Sequence, residues 1–141
     1  MERMTTAEAL EFLAADARTG KLATAAPSGA PHVAPVWFVV AGDELVFTTG
    51  HDTIKGRHLR ANPRAAVSVD VQHFPYSFVV VRGGVRLDEH ASDLLEWSTK
   101  LAARYVPAGL AEQYGRRNAV DTEMVCHMSI DHIRGERDIA A

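Results

Sequence analysis

A chain of 141 residues, 47% hydrophobic and 23% charged, has the size and composition of one globular domain with a modest core, and is neither disordered nor fibrous. A net charge of −3 and a pI near 6.1 exclude the overall basic field that non-specific nucleic-acid binding requires. The single cysteine, Cys126, excludes an intrachain disulfide and a thiolate cluster for zinc or iron–sulfur, and makes a reducing cytosol the simplest compartment.

The N-terminus, Met1 to Leu10, has no apolar h-region, and no apolar run is long enough to span a bilayer. The expectation is a cytoplasmic protein with neither membrane nor nucleic acid as partner. Thr5-Thr6-Ala7-Glu8 has the spacing of a capping box, and Leu10, Leu13, Ala14 and Ala17 recur on one face of a predicted first helix. Leu22 to Ala26 and Pro31 to Val40 read as a hairpin joined by Pro27-Ser28-Gly29-Ala30. In Pro35-Val36-Trp37-Phe38-Val39-Val40 both faces are apolar, so the second strand is expected to be covered on both sides, by the core and by another surface such as a partner subunit.

After Gly42-Asp43, a third strand over Leu45 to Thr49 leads into a short helix, and residues 47–64 carry the most informative local signal. Free backbone N–H groups and the positive end of a helix dipole favour an anion. Thr48, Thr49 and Thr53 add donors there, Lys55 a point charge and Arg57 a second cation. Asp52 or Thr53 is the expected N-cap, and Asn62-Pro63 the stop. The plainer reading is an exposed helix with ordinary capping and solubilising charges. Arg57, Arg60 and Arg64, three and seven apart, form a basic stripe if the helix continues that far, either solvated or facing an acidic tail.

A fourth strand is predicted over Ala65 to Val71, a loop over Gln72 to Ser77, and a long strand from Phe78 to Leu87, in which Arg82-Gly83-Gly84-Val85 marks a bulge. Helical spacing returns over Ser92 to Ala103 and Ala108 to Tyr114, and Met124 to Ile130 reads as the last strand before a charged tail, Arg134 to Asp138. There is no repeat or linker, so residues 1–141 are expected to form one domain. Six short strands suggest a closed antiparallel barrel, since closure removes exposed edges. A small packed barrel cannot enclose a flavin-sized ligand, so any such cleft belongs outside it, at a dimer interface.

The order and spacing of Gly29-Ala30-Pro31-His32, Pro35-Val36-Trp37-Phe38, Phe47-Thr48-Thr49-Gly50 through Lys55, Leu59-Arg60-Ala61-Asn62-Pro63-Arg64 and Phe74-Pro75-Tyr76 resemble the pyridoxamine 5′-phosphate oxidase-like split β-barrel superfamily, and more closely its branch using the deazaflavin coenzyme F420. The resemblance covers residues 6 to 133. It implies an FMN-binding split barrel, mainly β with short helices, assembled as a homodimer with shared clefts. It further implies that Lys55 and the residues before it, with Thr48, Thr49 and Thr53, hold a coenzyme phosphate, assisted by Arg57. Pro35, Val36 and Trp37 would line the tricyclic ring, and Phe74, Pro75 and Tyr76 would reach across from the other subunit. Two departures argue against a true pyridoxamine phosphate oxidase. Ile54 stands before Lys55 where those oxidases usually carry an Arg-Lys pair, and the chain ends in Glu136-Arg137-Asp138-Ile139-Ala140-Ala141 in place of a Trp- and Arg-containing segment.

Trp37 either stacks near a ring or fills the core, and His32 either faces the cleft or is structural. The seven histidines form no His-x-His or His-x-x-x-His pattern, so no metal is expected, although haem bound by a single histidine stays open. The resulting expectation is a homodimeric oxidoreductase in which reduced F420 passes a hydride to a small, flat, electron-poor substrate: a quinone, an enone or a biliverdin-like tetrapyrrole. The alternatives are an FMN flavoprotein on the same fold and a non-catalytic flavin-, deazaflavin- or haem-binding protein. No catalytic residue is identified.

Overall fold

The computed structural model describes all 141 residues. Along the chain run β1 (Glu2–Arg3), α1 (Thr6–Ala14), β2 (Gly20–Ala25), β3 (Pro31–Val36), β4 (Val39–Ala41), β5 (Glu44–Gly50) and α2 (Ile54–Ala61). Then follow β6 (Arg64–Val71), β7 (Ser77–Asp88), α3 (Leu94–Tyr105), α4 (Ala111–Asn118), β8 (Glu123–Ser129) and β9 (His132–Arg137). No helix is long and apolar enough to cross a membrane.

Helix α1 starts where the capping box places it: the Thr5 N–H donates to Glu8 Oε1 (2.8 Å) and the Glu8 N–H to Thr5 Oγ1 (3.2 Å). It buries Ala9 and Leu13 but ends at Ala14. Ala15 is extended and Asp16 left-handed at φ +44°, so Ala17 lies off the helical face to which its spacing assigns it. The β2–β3 hairpin closes through Gly29, at φ +91°, whose N–H donates to Ala26 O (2.8 Å).

The strands form one curled antiparallel sheet in the order β3-β2-β6-β7-β8-β5-β4, with β9 pairing both β7 and the short β1. Strand β7 joins the two halves of this split barrel. Its first part pairs with β6 and β9 and its last residues, Val85 to Asp88, with β8. Gly83 and Gly84 sit where β7 exchanges β9 for β8. They mark no bulge towards β6, because that register runs unbroken from Arg64↔Gly84 to Val71↔Ser77. Gly83 is glycine because a methyl group there would overlap the Ser129 carbonyl oxygen.

Nine strands replace the six expected. The segment Pro31 to Val40 divides at Trp37-Phe38 into β3 and β4, the charged tail is strand β9, and the two-residue β1 pairs with it. In β9 the buried inward position is Gly135, lying against Met4 and Val79, so no apolar alternation announces the strand. Phe38, Phe47, Leu13, Leu22, Leu45, Leu59 and Val67 are fully buried in the core. The double cover expected over residues 35–40 is absent from the single chain on β3: Val36 faces the core, whereas Pro35 is exposed and Val33 is 65% exposed.

Helix α3 braces the break between β3 and β4. Arg104 donates to the carbonyls of Phe38 (2.6 Å), Leu13 (2.7 Å) and Asp16 (2.8 Å), tying α3 to the break and to the end of α1. The Tyr105 hydroxyl donates to Arg18 O (2.9 Å) and accepts the Phe38 N–H (3.2 Å). Burial pushes the Tyr105 phenol up and the Arg104 guanidinium down from their ordinary values.

Candidate functional site

Strand β5 delivers Thr48, Thr49 and Gly50 to the start of α2. Thr53, not Asp52, is the cap: at φ −70° and ψ 159° its Oγ1 accepts the Gly56 N–H at 3.0 Å. The same hydroxyl donates to Gly50 O (3.0 Å) and lies 2.9 Å from Thr49 Oγ1. Gly56 permits this docking. A methyl group there would overlap the Gly50 carbonyl oxygen, so only glycine lets the first turn of α2 press against the end of β5.

Two adjoining cavities open here. The first, about 210 Å³, is lined by Pro35, Val36 and Trp37 from the end of β3, with Thr48, Lys55, Ser98, Leu101 and Asn118. The second, about 300 Å³, is polar and includes Thr48, Thr49, Thr53, Lys55, Arg117 and Glu123. Thr48, Lys55 and Asn118 belong to both, so the cavities form one cleft with an apolar end and a hydroxyl-and-cation end. Trp37 is partly buried and stacked flat on Tyr105, with centroids 5.2 Å apart and planes 5° from parallel; it is both packed and cleft-lining.

Seven expected residues, Pro35, Val36, Trp37, Thr48, Thr49, Thr53 and Lys55, thus meet in one place. Arg57 is exposed on α2 and lines neither cavity. The basic stripe does not form: α2 ends at Ala61, Arg60 pairs with Glu89 at 3.1 Å, and Arg64 begins strand β6. His32 also lies outside the cleft, edge-on to His58 at 6.0 Å, while His58 Nδ1 is 3.0 Å from Thr24 Oγ1.

Phe74, Pro75 and Tyr76 occupy the loop between β6 and β7 and line neither cavity of their own chain. Phe74 is 69% and Tyr76 46% exposed. The C-terminal residues fasten this loop, through Ile139 N–H to Tyr76 O (3.0 Å) and Ala140 N–H to Pro75 O (2.9 Å).

Four polar cleft residues escape a reading of the sequence: Ser98, Arg117, Asn118 and Glu123. Arg117 and Asn118 arrive because α4 packs on α3, where Ser98 Oγ donates to Gly115 O (2.8 Å) and a side chain at Gly115 would strike Thr99, and Glu123 arrives because β8 pairs with β5 in register at Gly50. The one local signal is that glycine inside a helix, which marks close packing. Burial raises the Glu123 carboxyl above its ordinary value, an effect that Lys55 and His51 partly offset. Cys126, buried on the same strand, is pushed up to about 12 by desolvation and stays a thiol.

Among solved structures, the fold is similar to that of the conserved hypothetical protein Rv2991 from Mycobacterium tuberculosis, with a TM-score of 0.82 and 22% identity over 98% of this chain and 89% of that one. It is similar to an F420 reductase at a TM-score of 0.70 and 28% identity, over 87% of this chain and 94% of the reductase. A FAD-binding protein from Mesorhizobium loti matches at a TM-score of 0.67 and 24% identity, over 95% of each chain. No protein of curated function matches the chain. The family described as pyridoxamine 5′-phosphate oxidase matches residues 5–131, which include every strand and helix that lines the cleft. On that match and on its split β-barrel, the chain belongs to the pyridoxamine 5′-phosphate oxidase family.

Proposed function

We propose that this chain is an oxidoreductase that binds reduced coenzyme F420 in the cleft and passes its hydride to a small, flat, electron-poor acceptor such as a quinone, an enone or a biliverdin-like tetrapyrrole. The observation that carries this reading is the single cleft whose apolar end is Pro35, Val36 and Trp37 and whose polar end is Thr48, Thr49, Thr53 and Lys55. That donor set fits the group. Hydroxyl donors and an ammonium suit a phosphate, and the strand end with its stacked indole suits the edge of a tricyclic ring. When bound, the coenzyme supplies the hydride, and the chain's own residues bind it, orient it and exclude water. The likeness to an F420 reductase supports a deazaflavin, and the family supports redox chemistry on a flavin-like ring more broadly.

The cleft is completed, in this reading, by a second copy. The two parts of the cleft, about 210 and 300 Å³, together reach only the lower part of the range that ligand pockets span. The outward face of β3, β2 and β6 brings the exposed Val33 and Ala23 and the half-buried Ala66 into register, a row of small and apolar residues flanked by Lys21, Arg64 and Asp70 that offers a surface for self-association. Phe74, Pro75 and Tyr76, exposed and remote from their own cleft, then serve the partner's.

The test is a parallel titration of the ligand-free protein with oxidised F420 and with FMN at two salt concentrations. Tighter, salt-sensitive binding of F420 is expected, followed by turnover of the reduced coenzyme with a quinone. Preference for FMN would replace the deazaflavin with a flavin. Binding of haem alone would replace the enzyme with a carrier.

A further inference from the structure

The polar end of the cleft has an uneven set of charges. Two cations line it, Lys55 from α2 and Arg117 from α4, together with one carboxylate, Glu123, at the start of β8. Glu123 lies against the hydroxyl-bearing strand: its Oε1 is 3.9 Å from where a Cβ on Gly50 would stand, and Glu123 pairs in register with Gly50. None of the three is in an ion pair, so nothing within the chain neutralises them one against another at contact distance. Of the other titratable neighbours, His51, in the turn before α2, does not line the cavity and lies 3.9 Å from Glu89, and Cys126 is a buried thiol. With Lys55 and Arg117 positive and Glu123 negative, the residues that line the cavity sum to one net positive charge.

A carboxylate inside a phosphate cavity makes no sense as general anion affinity, since it repels every phosphate. It does make sense as selection by charge. A phosphodiester carries one negative charge and balances the cavity. A phosphomonoester, with a second pKa of about 6, carries nearly two at neutral pH and overfills it. The surplus charge then faces Glu123 in a half-buried site, where screening by water is weak.

We propose that Glu123 makes this cavity a site for singly charged phosphodiesters and disfavours doubly charged phosphomonoesters, so that the chain discriminates F420, whose phosphate is a diester, from FMN, whose phosphate is a monoester. The proposal rests on the reading that this cavity receives the coenzyme phosphate. Glu123 acts here as a specificity-determining residue, and Arg117 supplies the second cation that Arg57, outside the cleft, does not.

The test uses two ligands that share a ring and differ by one charge: FMN and its methyl phosphodiester, titrated into the full chain at fixed ionic strength and a pH of about 8, where the monoester is fully ionised. The wild type should bind the diester on the order of tenfold more tightly. Glu123→Gln, which keeps the shape and removes the charge, should abolish that preference, with the gain falling on FMN. Arg117→Gln should weaken both ligands, FMN the more, and serves as a second arm should the first variant fold poorly. An equal effect of Glu123→Gln on both ligands, or none, overturns the proposal while leaving the site reading intact. If Lys55→Ala leaves both affinities unchanged, or if neither ester binds the wild type, the phosphate cavity itself is refuted, and the proposal with it.

Discussion

Gly56 and Glu123 show how single residues set the cleft. Gly56 has no side chain because the Gly50 carbonyl occupies the space one would take. Gly56→Ala therefore forces α2 off the end of β5, and a loss of about 1–3 kcal/mol in denaturant unfolding is expected, with weaker coenzyme binding beside it. Glu123 has a folded-state pKa raised by burial, so it holds its proton more firmly in the folded chain than in the unfolded one. Its effect on stability is thus absent at acid pH, where it is protonated in both states. As pH rises from 4.5 through the raised folded value, its ionisation costs stability. Glu123→Gln should raise Tm at neutral pH and leave it unchanged below that window. At this scale the sequence is readable where chemistry is local. Thr53 as cap and Lys55 two residues on follow from a strand, a turn and a helix start. Arg117 and Glu123 enter the cleft through contacts made far along the chain, which no local pattern encodes.

Among the elements, α3 has the largest structural reach. Arg104 gathers carbonyls from the end of α1 and from the β3–β4 break with the fork of its guanidinium, and lies 4.6 Å over the Phe38 ring. Arg104→Lys should therefore fail to restore stability, because an ammonium cannot span three carbonyls, and a loss of about 2–3 kcal/mol in chemical denaturation is expected for it. A variant as stable as wild type would show that these hydrogen bonds are dispensable. The same contacts explain why one predicted strand is two. Residues 31–40 are apolar throughout, and the break at Trp37-Phe38 is imposed by Arg104 and Tyr105, more than sixty residues later. Strand β9 hides for the opposite reason: Gly135 takes the buried inward position, leaving Ile133 as the lone apolar residue among charged neighbours. Where turn chemistry and alternation coincide, as in the β2–β3 hairpin and β7, the elements follow directly from the residues.

For the whole molecule, the decisive question is what covers the outer face of β3, β2 and β6. Ala66, on the β6 side of that face and paired in register with Ala23, is small enough for another surface to approach closely. Ala66→Asp should shift a homodimer towards monomer by light scattering, and should weaken coenzyme binding in step, since each cleft would lose the aromatic loop of its partner. A variant that stays dimeric would place the interface elsewhere. The curled antiparallel sheet is legible from the density of short strands and turns, but the closure expected of it is not reached, since β3 and β4 end the sheet without pairing to each other. A face for the proposed association is not legible, because small and apolar residues on an outward strand face read the same whether water or protein lies beyond.

The stacking of Trp37 on Tyr105 gives the protein an internal optical gauge. Only one other indole, Trp97, is present, and it lies elsewhere, beside His127 and Lys100. A flat conjugated ring entering beside Trp37 should quench its emission, and a Trp37→Phe variant should lose that response while the glow of Trp97 stays constant. Occupancy of the cleft can then be followed in real time without any label, even for acceptors that have no colour of their own and register only by displacing a coloured ligand.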